Sequence, residues 1–202
     1  MRADARKNYE DLLTVARTVV VEQGAGASLR DVARKAGVGL GTLYRHFPTR
    51  ESLLEALLRE SFDGLTTKAI EHETSASPGD ALVTWLRDVV TLANDYRDVV
   101  ASMVAAIDDE DSALHASCVS MKAAGARLLT RAQAAGVART DIDGADLFAL
   151  VAALAWLGDQ PALAPLADHL FGVIAGSLLV TGAGGDAKVK TKARVAGSKS
   201  RP

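Results

Sequence analysis

The stretch Ser28–Phe47, SLRDVARKAGVGLGTLYRHF, constrains this chain more than any other. It reads as two short helices joined by a glycine turn. The first spans about Leu29 to Ala36 and is preceded by Ser28, whose hydroxyl can accept from an unpaired first-turn amide. Gly37 stands where such a helix must stop, because glycine takes the left-handed conformation without steric cost. A second helix follows from about Leu40 to Phe47. Apolar residues sit at Val32, Ala33, Ala36, Val38, Leu43, Tyr44 and Phe47. This is a helix-turn-helix pattern, whose second helix ordinarily enters the DNA major groove.

The flanking sequence extends the pattern into an all-α chain. Residues 5–24 carry Tyr9, Leu12, Leu13, Ala16, Val19 and Val20 at three- and four-residue steps, which predicts a helix with one apolar face. With the helix-turn-helix it makes a three-helix head. Pro48-Thr49 breaks the chain, and Thr49 is a suitable cap for a helix from Arg50 to about Glu73. Leu53, Leu54, Leu57, Leu58, Phe62 and Leu65 form its apolar stripe, with Gly64 as a weak point. Glu73–Gly79 is a loop by composition. Further helices are predicted at about 80–95, 98–107, 112–135, 143–158 and 163–180. The acidic run Asp108–Asp111 suits the positive end of a helix dipole, and Gly136 suits the end of the long helix. There is no alternating strand pattern and no internal repeat. The expected organisation is a helix-turn-helix head over 1–49, a connecting helix over 50–73, a helical effector-binding and dimerisation domain over 74–180, and a flexible basic tail over 181–202.

Charge divides along the same lines. Residues 1–50 hold nine Lys/Arg against five Asp/Glu, residues 63–180 hold seven against sixteen, and residues 181–202 hold six against one. Basic ends suit a polyanion and an acidic middle repels it. The tail is therefore expected to add nonspecific attraction for DNA. The single cysteine, Cys118, excludes an intrachain disulfide. The charged N-terminus does not resemble a signal peptide. The longest apolar run, Leu147 to Gly158, has 12 residues, short of the roughly 20 needed to cross a bilayer. These features predict a cytoplasmic protein with no membrane partner.

The last two predicted helices are apolar beyond one face. Leu147, Leu150, Val151 and Leu154 line the first; Leu166, Leu170, Val173 and Ile174 line the second. A helix apolar on most sides must bury most sides. One face can pack on its own domain and the other on a second copy, which predicts a homodimer through a four-helix interface.

The head is similar to that of the TetR family of bacterial transcriptional repressors. The residues that carry the resemblance are Ser28–Ala33, Ala36-Gly37-Val38, Gly41–Phe47 and Arg50–Leu53. RAQAAGVARTDID at 131–143, followed by Asp146-Leu147, resembles one subgroup of the family's ligand domains. The resemblance implies a homodimer on a palindromic double-stranded DNA operator, with a small-molecule effector in the C-terminal domain. It also implies a DNA-contacting set of Arg30, Thr42, Tyr44, His46 and Arg50. Thr42 and Tyr44 can reach phosphates or base edges, His46 and Arg50 can bind phosphate, and Arg30 can pair bidentately with guanine. Amides at the start of the Arg50 helix add an anion site. Phe47 is read as core, and Tyr44 as a packed ring with an exposed hydroxyl. The sequence departs from the family at Gly39, a cap without a side-chain acceptor, and at Leu40-Gly41. Gly41 permits close approach to DNA, while Leu40 offers only apolar contact, so direct base readout is expected to be sparse.

Other chemistries lack their partners. Gly37–Gly41 has no preceding strand and no following Gly-Lys-Ser/Thr, so it is not a nucleotide loop. His72-Glu73 lacks the second histidine of a zinc-protease helix. Asp108–Asp111 lacks the spaced ligands of a calcium loop. No metal site, cofactor or catalytic triad is read. Candidate effector-pocket walls are Trp85, Tyr96, Met103, His115, Cys118, Met121 and Trp156, large or polarisable groups in the C-terminal helices. The expected function is a DNA-binding regulator, a repressor released by its effector, and not an enzyme. The alternative is a small-molecule-binding protein or enzyme with a non-functional head.

Overall fold

A computed structural model describes residues 2–180 of the 202-residue chain, with side chains described from residue 7. The basic stretch 181–202 lies outside the described residues. Ten α-helices follow in order: α1 Arg2–Gln23, α2 Leu29–Lys35, α3 Leu40–His46, α4 Arg50–His72, α5 Pro78–Asp95, α6 Arg97–Ser102, α7 Val104–Asp108, α8 Ala113–Ala134, α9 Gly144–Asp159 and α10 Ala167–Leu178.

The short helices of the head are fixed by their ends. Seven-residue helices are not stable by propagation alone. The Arg30 amide donates to Ser28 Oγ (3.2 Å) at the start of α2. At its end Gly37 takes φ 67°, the Gly37 amide donates to the Arg34 carbonyl (3.2 Å), and the Val38 amide reaches back to that of Ala33 (3.0 Å). This pair of bonds closes the helix and aims the chain into α3. α8 ends the same way at Gly136, with Val137 bonded back to Ala132. A reciprocal cap starts α4: the Ser52 amide donates to Thr49 Oγ1 (3.0 Å) and the Thr49 amide to Ser52 Oγ (3.1 Å).

α4 belongs to head and body alike. Its side from Leu53 through Phe62 to Ala69 is buried, and the buried residues of α1 through α10 join into one continuous cluster. Its most extensive packing is along α8. Trp85 of α5 is fully buried at the centre of the body; its Nε1 donates to the Leu65 carbonyl of α4 (2.8 Å) and its ring meets Phe148 of α9 edge-on. A Cβ on Gly125 of α8 would lie 2.4 Å from the Trp85 ring, so only glycine lets α8 approach this closely.

Two sequence expectations need correction. The helix expected over 98–107 is two, α6 and α7, broken at Met103 (φ −108°, ψ 9°). The last helix does not run from 163 to 180: a 3-10 turn at Ala164–Leu166 precedes α10, and the chain then pairs back on the loop after α8. There the Arg139 amide donates to Leu178 and the Val180 amide to Val137, each at 3.0 Å. The acidic run leads into α8 as expected: Asp108 ends α7, Asp109–Asp111 lie in the connection, and Ser112 caps α8, accepting from the His115 amide (2.9 Å). Among the described residues no helix is long and apolar enough to cross a membrane.

Candidate DNA interface and ligand cavity

α3 turns Leu43 and Phe47, four residues apart, into the core, and Tyr9 of α1 packs on Phe47 with ring centroids 5.1 Å apart. The opposite face is therefore outward: Gly41, Tyr44 and Arg45 are exposed, and Tyr44 keeps 45% of its surface in solvent. Thr42, Leu40 and His46 are half-buried at its flanks, with His46 against Tyr9 (6.0 Å between centroids). Arg30 on α2 and Arg50 on α4 are exposed on either side. Arg50 lies 3.6 Å from Glu51, whereas among the described residues Arg30 and Arg45 have no ion pair. The other cations of α2 are spent internally, Arg34 on Asp31 (2.7 Å) and Lys35 on Glu22 (2.6 Å). Nothing stands within 4 Å of a Cβ built on Gly39 or Gly41, so the start of α3 is open surface. The reciprocal cap of α4 uses the Ser52 amide and leaves those of Arg50 and Glu51 in the first turn uncommitted among the described residues.

Of the expected DNA-contacting residues, Arg30, Gly41, Tyr44 and Arg50 are thus exposed, and Leu40, Thr42 and His46 are half-buried. Arg45 is the cation that the sequence reading omitted. Its signal was helical spacing: three residues after Thr42 and four after Gly41, it must point away from Leu43 and Phe47.

The expected pocket residues do not converge. Trp85 is core. Met103 is buried below the α6–α7 break. His115 Nδ1 meets the Ile107 carbonyl at 2.7 Å and ties α8 to α7. Cys118 is buried, and its burial pushes the thiol up from its ordinary value. Met121 and Trp156 do line one cavity of about 490 Å³, framed by Phe62 of α4, Val89 and Leu92 of α5, Arg97 and Val100 of α6, Lys122 of α8, and Phe148 and Asp159 of α9. Trp156 stands at its edge, 60% exposed. Such a space, largely apolar with a few polar groups, is of the size and character of small-molecule sites.

Tyr96 lies on a different opening, a polar groove of about 610 Å³ between α1, α4 and α5. Arg17–Glu60 (3.1 Å) and Lys68–Asp88 (2.6 Å) cross it. The Tyr96 hydroxyl is buried beside Ser61, whose own hydroxyl donates to the Leu57 carbonyl (2.8 Å); burial raises the Tyr96 pKa.

α6 touches both functional regions. Arg97, Val100 and Ala101 face the apolar cavity. The same helix packs on the 3-10 turn Gly24–Gly26 that ends α1, and a Cβ on Gly24 would lie 2.7 Å from Asp98 Oδ2. Two residues beyond that turn is Ser28, the cap of α2.

In the α9–α10 hairpin, Leu147, Val151 and Leu154 are buried in this chain's own core, Leu150, Leu170 and Ile174 are half-buried, and Leu166 and Val173 are about half exposed. Asp168, beside His169, pairs with Arg87 (3.3 Å).

Residues 12–57 match the description "Bacterial regulatory proteins, tetR family", and residues 77–179 match the C-terminal domain of SbtR-like transcriptional regulators. The HTH-type transcriptional repressor KstR2 of Rhodococcus jostii (strain RHA1) is 38% identical over 101 residues, which cover 50% of this chain and 48% of that protein. The chain thus matches about half the length of this curated relative. A TetR transcriptional regulator of Streptomyces coelicolor, SCO0520, superposes with a TM-score of 0.69 at 32% identity, covering 86% of this chain and 99% of that one. A TetR transcription regulatory protein from Mycobacterium vanbaalenii gives 0.68 at 30% identity, covering 89% and 99%.

Proposed function

We propose a function from one premise: the chain belongs to the TetR family of bacterial regulatory proteins. The protein is a cytoplasmic, homodimeric DNA-binding repressor, and a small molecule in the C-terminal domain releases it from a palindromic operator. The observation that carries this reading is the outward face of α3, where Tyr44 and Arg45 stand exposed while Leu43 and Phe47 anchor the opposite side in the core, with Arg30 exposed on α2. Cations free of internal partners are available to displace counterions from DNA, and a rigid helix presents them in fixed register. Repression is the activity in the name of the Rhodococcus relative.

Release follows from the position of α6 between the cavity and the end of α1. A ligand that packs against Arg97 and Val100 favours one placement of α6, and through Gly24–Gly26 one placement of the head. The effector must bind the released arrangement more tightly than the DNA-bound one, and by linkage DNA weakens effector binding equally. The second copy covers the part of the α9–α10 hairpin that remains exposed, around Leu166, Leu170, Val173 and Ile174. Leu147, Val151 and Leu154 serve the chain's own core instead.

A gel-shift titration on DNA from upstream of the protein's own gene tests this reading. Binding is expected to weaken with salt and to fall on Tyr44→Ala while the thermal melt is unchanged. Failure to bind that DNA or any member of a random duplex pool would contradict it.

A further inference from the structure

We infer that the apolar cavity takes a monoanionic amphipath, an apolar body bearing one carboxylate that Arg97 and Lys122 hold. The inference rests on the reading of this cavity as the effector site and adds the ligand's chemical class. Phe62, Val89, Leu92, Phe148 and Trp156 supply a wall that gains by excluding water. Set into that wall are two cations and one carboxylate, Arg97, Lys122 and Asp159, so the lining carries a net positive charge.

The cations are unequally committed. Arg97 gives Nη1 to Asp159 Oδ1 at 2.5 Å, while its Nε is buried with no hydrogen-bond partner. Lys122, beside the Cys118 thiol, is in no ion pair among the described residues. A carboxylate entering the cavity would meet the positive side of this lining and pair with exposed Lys122, which among the described residues has no ion-pair partner to give up, through a charge-assisted bond. A neutral ligand forgoes that bond, and a cationic one adds repulsion.

The test uses the full chain and the uncharged dye Nile red as reporter, displaced in turn by dodecanoate, 1-dodecanol and dodecyltrimethylammonium. Dodecanoate is expected to compete at least about tenfold better than the alcohol, with the cation weakest. Lys122→Met, which keeps the apolar stem, is expected to bring acid and alcohol close together. Arg97→Gln tests the second donor, and melting curves establish that each variant is folded. Ala152→Trp, which fills the cavity from α9, is expected to abolish dye uptake. Equal competition by acid and alcohol in the unmodified chain would overturn the inference and leave the cavity as a neutral-ligand site. Acid selectivity that survives in both Lys122→Met and Arg97→Gln would also overturn it. No dye uptake, or uptake unchanged by Ala152→Trp, would overturn the cavity reading together with the inference.

Discussion

The head and the body share α4 but hold their shapes by different means. α2 and α3 have seven residues each; Ser28 and Gly37 fix the ends of α2, and Leu43 and Phe47 seat α3 in the core before Thr49 starts α4. The body's α5 and α8 have 18 and 22 residues and are fixed by what they bury, above all Trp85 in the space left by Gly125. The head therefore leaves one whole face of α3 free of structural duty. In the body the cavity walls and the core share residues: Phe62, Val89, Met121 and Val151 belong to both. Function at the head should be separable from stability, while in the body the two should move together.

The largest test of that contrast is Trp85→Ala. Loss of a fully buried indole, its bond to Leu65 and its contact with Phe148 should cost about 3–5 kcal/mol in urea denaturation. A value below about 1 kcal/mol would mean the body is not organised around it. Next in size, Arg45→Ala should weaken DNA binding by about tenfold, roughly 1.4 kcal/mol. It should flatten the salt dependence of affinity by about one counterion and leave the melting temperature unchanged. A matching loss of stability would erase the distinction between the two regions. Gly37→Ala should destabilise by about 1 kcal/mol, because φ 67° is strained for any residue with a Cβ even though the surrounding space is open. Smallest is Gly39→Ser. Gly39 already has cap geometry (φ −67°, ψ 143°) and open space, so serine should stabilise by a few tenths of a kcal/mol, read as a rise in melting temperature.

The same contrast decides what could be read from the residues alone. Caps and turns act within four or five positions, so Ser28, Gly37, Thr49 and Gly136 announce themselves in the sequence. The outward face of α3 also follows from spacing, and Arg45 was within reach of that argument. The cavity was not. It is assembled by five helices, and its Phe62, Leu92 and Phe148 are indistinguishable in sequence from ordinary core residues. Trp85, His115 and Cys118 look like pocket groups by type but serve packing or a helix corner. The break at Met103 was equally hidden, since the residues around it form a continuous helical pattern with no glycine or proline to mark it.

On the proposed function, α3 delivers the head to duplex DNA as half of a symmetric pair. The decisive measurement is selection from a random duplex pool followed by affinity against salt. The expected result is enrichment of a two-fold symmetric sequence with half-site centres about 34–36 Å apart, and a logarithm of affinity that falls linearly with the logarithm of salt. No enriched sequence, or binding indifferent to salt, would contradict it.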